Sequence, residues 1–109
     1  MPYNLDLEYR IDQLTNLFSQ ITKKKMFGGV GYLMNGNMCF GIHKEYLIIR
    51  TTREQADVLL KEESVKPFDI TGRPMKGWIM VSPDALEKAD ERMEMLKRGT
   101  SFAETLPKK

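Results

Sequence analysis

Apolar residues recur at spacings of three and four near the start of the chain: Leu7, Ile11, Leu14, Leu17, Phe18 and Ile21. That period puts them on one side of a helix and predicts an amphipathic helix over 5–22. Asn4 stands at its N-cap. Asp6 and Glu8 suit the positive end of the helix dipole, and Lys23-Lys24-Lys25 the negative end. The period then shortens to two on either side of Asn35-Gly36, a strong hairpin signal. Val30, Tyr32, Met34, Met38, Phe40 and Ile42 share a face if the loop is odd, as with Asn35-Gly36-Asn37. Gly29, Gly31, Leu33, Cys39, Gly41 and His43 then lie opposite. A two-residue turn would set Gly31 across from Phe40 and mix both faces. Segregation of apolar from small side chains favours the odd loop, and a slip of one residue exchanges the faces.

"YLIIRT", 46–51, is apolar and β-branched and reads as a central strand. Thr52 with Gln55 three residues on forms a capping box, so a short helix follows, with Ala56, Leu59 and Leu60 inward. Phe68 with Ile70, and Trp78 with Met80 and Ile79, predict two more strands around a turn or longer loop at Thr71-Gly72-Arg73-Pro74. Ser82 caps a last helix with Pro83 at its first position. Leu86, Ala89, Met93 and Leu96 form its apolar stripe. Gly99 is expected to end it, with a final turn through Phe102 and Leu106. The order is helix, three strands, helix, two strands, helix. It describes one α+β domain of two layers: a five-stranded antiparallel sheet with helices packed on it.

The chain has 109 residues, 41% hydrophobic and 29% charged, typical of a soluble globular domain. No apolar run approaches the roughly 20 residues of a membrane span. The start, MPYNLDLEYR, lacks the basic and apolar blocks of a signal peptide. Cys39 is alone, which excludes an internal disulfide and a cysteine-based zinc site within one chain. A cytoplasmic protein is the expectation. Net charge is only +2, but its distribution is uneven. Residues 20–53 carry Lys23, Lys24, Lys25, Lys44, Arg50 and Arg53 against Glu45 alone, and 64–81 carry Lys66, Arg73 and Lys76 against Asp69. Solvated strand ends, with lysines that discourage edge pairing, explain this most simply. A surface for anions or nucleic acid is the second reading.

Candidate chemistry is sparse. Gly28-Gly29-x-Gly31 runs into a strand, not from a strand into a helix, and so departs from a dinucleotide loop. Close approach of a helix or a neighbouring chain, or a bend in the strand, accounts for it better. His43 sits at a strand end without ligand-like spacing around it. Cys39 and His43, four apart on a strand, lie about 13 Å apart and cannot form a hydrogen-bonded pair. Cys39 reads as a half-buried packing residue. Arg73 and Lys76, with Trp78 beyond, suit an acidic partner or a phosphate, although Trp78 itself reads as core. Arg50, ending an apolar strand, suits a pair with Asp69 or a partner. Eight methionines read mostly as core filling.

Two blocks, "MFGGVGYLMNGNMCFGIHKEYLIIR" and "PFDITGRPMKGWIMV", resemble the N-terminal domain of the TfoX family, regulators of natural competence also called Sxy. The most specific parts are Met26-Phe27-Gly28-Gly29, Pro67-Phe68, and Gly72-Arg73 leading to Met75-Lys76-Gly77-Trp78. The likeness covers nearly the whole chain. It implies a two-layer fold with an antiparallel sheet and a link to transcriptional control, where TfoX acts alongside the cyclic-AMP receptor protein. The competence regulators carry a second, C-terminal domain that these residues do not include, and nothing of that domain carries over. The family supplies no catalytic residues. The expectation is a non-catalytic regulatory or adaptor domain without cofactor, metal or membrane partner. It would act on a protein, a transcription factor or a second copy. Lys24, Phe27, Gly29, Arg50, Arg73 and Lys76 are the candidate partner-binding residues. Nucleic-acid binding through the basic sheet ends, or an enzyme or small-molecule site near Arg50, Arg73 and Trp78, are the alternatives.

Overall fold

The computed structural model describes residues 3–18, 20–26, 29–68 and 76–107. The first helix, α1 (Leu5–Thr15), starts where Asn4 accepts a hydrogen bond from the Leu7 N–H at 3.0 Å. It stops well short of residue 22. Gln20 takes a positive φ of 64°, which a helix does not allow, and the lysine run becomes strand β1 (Ile21–Met26). The helical spacing of Leu17, Phe18 and Ile21 was therefore shared between a helix end, a loop and a strand, and Leu17 is exposed.

β2 (Gly29–Met34), β3 (Asn37–His43) and β4 (Tyr46–Arg50) follow as a meander. Thr52 caps α2 (Arg53–Leu59) by accepting from the Gln55 N–H at 3.1 Å. β5 (Val65–Pro67) and β6 (Trp78–Val81) lead to a single 3₁₀ turn at Pro83–Ala85 and to α3 (Ala89–Glu104). The mixed α+β architecture and its antiparallel sheet are as expected. Among the described residues the sheet has six strands, in the order β1-β2-β3-β4-β6-β5, because the lysine run adds an edge strand. The first strand of the later pair lies at Val65–Pro67. Phe68 follows it, and the expected partner Ile70 and turn at Thr71–Pro74 lie outside the described residues.

The hairpin combines both registers weighed from the sequence. At its tip Met34 pairs with Asn37, so the loop is the two-residue turn Asn35-Gly36, with φ of 55° and 82°. Positive φ at both positions is the hairpin turn whose twist matches the strands. Farther along, Tyr32 pairs with Phe40 and Val30 with Ile42. Cys39 is the extra residue that shifts the register by one, a bulge. It keeps the large side chains together behind a tight turn.

Those side chains form one core. Val30, Tyr32, Phe40, Ile42, Leu47, Ile49, Val65, Ile79 and Val81 line one sheet face, and Leu7, Ile11, Ala56, Leu59 and Leu96 close over them from the helices. Alternation turns Trp78 and Met80 to the opposite face, so Ile79 and Val81, not Trp78, are the core residues of β6. Gly99 does not end α3. It lies within the helix, where a Cβ would run into the Cys39 carbonyl oxygen, so the missing side chain lets α3 rest on β3. Gly41 serves strand against strand: a Cβ there would lie 2.6 Å from the Val30 carbonyl oxygen. The same holds for Gly29 against Ile42.

Candidate binding surfaces

The sheet face turned away from the helices is defined by one register row that crosses all six strands: Lys24, Gly31, Gly41, Ile48, Met80 and Lys66. Gly31, Gly41 and Ile48 in the middle of this row are buried, with the Met38 methyl lying over Gly41, and a lysine stands exposed at each end, about 24 Å apart at normal strand spacing. Beside it, Phe68 packs its ring against His43 at 6.0 Å and Trp78 at 5.9 Å. Tyr46 is half-buried beneath Lys66, whose Nζ lies 5.5 Å from the ring centroid. No Asp or Glu occurs in any described strand, whereas each helix has an acidic first turn.

Among the described residues the candidates do not gather at one point. Lys24 lies on the edge strand, three strands from Arg50, or about 14 Å. Gly29 is buried and its role is strand approach. Arg50 is sandwiched, with its guanidinium carbon 5.2 Å from the Trp78 ring and 5.3 Å from that of Phe102. Asp69, its expected partner, lies outside the described residues, as do Phe27 and Arg73. Lys76 is exposed in the turn before Gly77.

Two arrangements could not be read from spacing. The first ties α1 to the sheet. The Tyr32 hydroxyl donates to Asp12 at 2.6 Å, and Lys23 bridges Asp12 at 2.9 Å and Glu8 at 2.5 Å. Burial, then the bond to Asp12, pushes the Tyr32 hydroxyl pKa up. Burial pulls Lys23 down, but the Glu8 and Asp12 carboxylates outweigh it and the net shift is upward. The second is an open cleft of ≈ 440 Å³ between α2 and α3, which Thr51, Gln55, Lys97, Arg98, Ser101 and Phe102 help to line. It exists only because residues some 45 positions apart meet, and its cations lie on a helix whose pattern reads as an ordinary solvated face.

The thiol of Cys39 is fully buried and donates to the Tyr32 carbonyl oxygen at 3.2 Å. Burial pushes it up to about 12, far from the thiolate that a nucleophile needs. Among the described residues no three His, Cys, Asp or Glu side chains gather as metal ligands, and no helix is long and apolar enough to cross a membrane.

Comparison with curated proteins and with solved structures returns no match. A family model does match, that of the TfoX N-terminal domain, over residues 12–103. It takes in everything from the middle of α1, with the Asp12 brace, to the end of the α3 stripe at Ala103. The chain belongs to the TfoX N-terminal domain family.

Proposed function

We propose that this domain is a non-catalytic regulatory adaptor that binds an acidic protein surface through the helix-free face of its sheet. Family membership supports a regulatory role. The observation that carries the choice of surface is the row from Lys24 to Lys66, with an exposed lysine at each end, half-buried Met80 beside Lys66 and buried Gly31, Gly41 and Ile48 between, on strands without a carboxylate among the described residues. Burial of the Cys39 thiol and the pairing of the Tyr32 hydroxyl with Asp12 give both groups packing roles, in keeping with binding rather than chemistry. A protein is favoured over nucleic acid because the net charge is only +2, and the described residues of the face offer few cations to neutralise a phosphate backbone.

The test is affinity capture from native lysate with the tagged domain, with and without nuclease, beside the Lys24→Glu and Lys66→Glu variants. A protein captured despite nuclease and lost with both variants supports the adaptor reading. Capture that disappears with nuclease, with affinity falling steeply in salt, moves the assignment to nucleic acid. Capture indifferent to both charge reversals removes this face from consideration.

A further inference from the structure

The cleft between α2 and α3 lies on the helix side of the molecule, apart from the adaptor face. We infer that it is a binding site for a small ring-bearing anion, such as an aryl carboxylate, sulfonate or phosphate. Its volume of ≈ 440 Å³ is that of a small-molecule site. Its charge is biased: Lys97 and Arg98 face a single carboxylate, Glu94. Phe102 supplies apolar surface, and the Arg50 guanidinium behind it adds positive charge 5.3 Å from the ring centroid. Hydroxyls of Thr51, Thr52, Ser101 and Thr105 surround the space.

Arg98 is loosely held where it stands. It reaches Gln55 Oε1 at 3.3 Å and the largely exposed Glu94 at 3.1 Å, and its Nε has no acceptor. Exposed ion pairs of this kind contribute little, so turning the guanidinium toward an incoming anion gives up little. Thr51, by contrast, is buried and fixed, donating to Gln55 Oε1 at 3.1 Å. One wall is thus rigid and the other adjustable. A groove of the same volume between α1 and the Pro83 turn has the opposite character. Its Asp6, Asp84 and Glu87 outnumber Arg10, which is already paired with Asp6.

The probe is anilinonaphthalene sulfonate, an aryl ring with a fixed anion, titrated into the folded domain at neutral pH. We expect one saturable site, a blue-shifted dye emission, and quenching of Trp78, the single tryptophan, which reaches Phe102 through Arg50. Lys97→Glu combined with Arg98→Glu should weaken binding at least ~10-fold, about what losing one favourable charged contact does. Ser101→Glu, at an exposed position that leaves the fold alone, should do the same. Arg10→Glu, in the acidic groove, should change nothing. Cooperative denaturation of each variant checks that it is folded. The inference is overturned if the parent domain does not bind the dye, if the cleft variants bind it as tightly as the parent, or if Arg10→Glu weakens binding equally.

Discussion

Gly99 shows how much one hydrogen atom can decide. In an exposed helix, replacing glycine by alanine stabilises by about 1 kcal/mol. Here the added Cβ meets the Cys39 carbonyl oxygen and the Phe40 ring, and backbone cannot yield cheaply. Overpacking of this kind costs about 1–3 kcal/mol. Gly99→Ala should therefore unfold at lower denaturant than the parent, against the helix-propensity expectation. Cys39, beneath it, sets a pH limit. Its folded-state pKa, about 12, is raised above the ordinary 9.0, so its contribution to stability is complete below pH 9 and fades as pH climbs toward 12. Tyr32, whose pKa is also raised, adds to the same decline above its ordinary value of 10.0. Denaturant midpoints should hold level up to about pH 9 and fall beyond it, and Cys39→Ala should shallow the first part of that fall. A midpoint that rises above pH 9 would contradict this assignment.

At the scale of elements, α1 is held to the sheet by its apolar stripe and by the chain Glu8–Lys23–Asp12–Tyr32. The Lys23 pairs are partly exposed and each contributes about 0.2–1 kcal/mol. The Tyr32–Asp12 bond is charge-assisted and the stronger member, at about 1.5–3 kcal/mol. Asp12→Ala is expected to cost about 2 kcal/mol in chemical denaturation. A double-mutant cycle with Tyr32→Phe should show a coupling of about 1 kcal/mol or more. Strict additivity would mean that the contact does not stabilise the fold. The hairpin is the other instructive element. Asn35-Gly36 marked the turn, and alternation marked the paired faces, and the two signals disagreed by one residue. A bulge at Cys39 satisfies both. No local signal announces a bulge, because an extra residue between two correct patterns looks like an odd loop.

At the scale of the molecule, both sheet edges are blunted. β1 carries three lysines, and β5 is three residues long and ends in proline. Charged or proline-bearing edges resist pairing with another chain, so association is directed to faces instead. Replacing Lys24 and Lys25 together by valine should turn β1 into an open edge. Light scattering should then rise with protein concentration where the parent's does not; equal scattering from both would show that the lysines guard nothing.

The amino-acid sequence alone determined the succession β2, β3, β4, α2, two further strands and a last helix, the caps at Asn4 and Thr52, the place of the hairpin turn and the family, but not β1 or the 3₁₀ turn at Pro83–Ala85 where the last helix was expected to begin. Each of these rests on residues close together in the chain, where spacing and backbone preference act directly. The tertiary structure decided the rest. It made the lysine run a strand, since the backbone of Ile21–Met26 pairs with β2, a partner that the helical spacing of Leu17, Phe18 and Ile21 does not reveal. It turned Trp78 outward and Ile79 inward, because the register with β4, not side-chain size, sets the face. It carried α3 past Gly99, where burial against β3 outweighs a glycine's tendency to stop a helix. The α2–α3 cleft and the row from Lys24 to Lys66 were invisible beforehand for the same reason: both are made by residues far apart in sequence, and only packing brings them together.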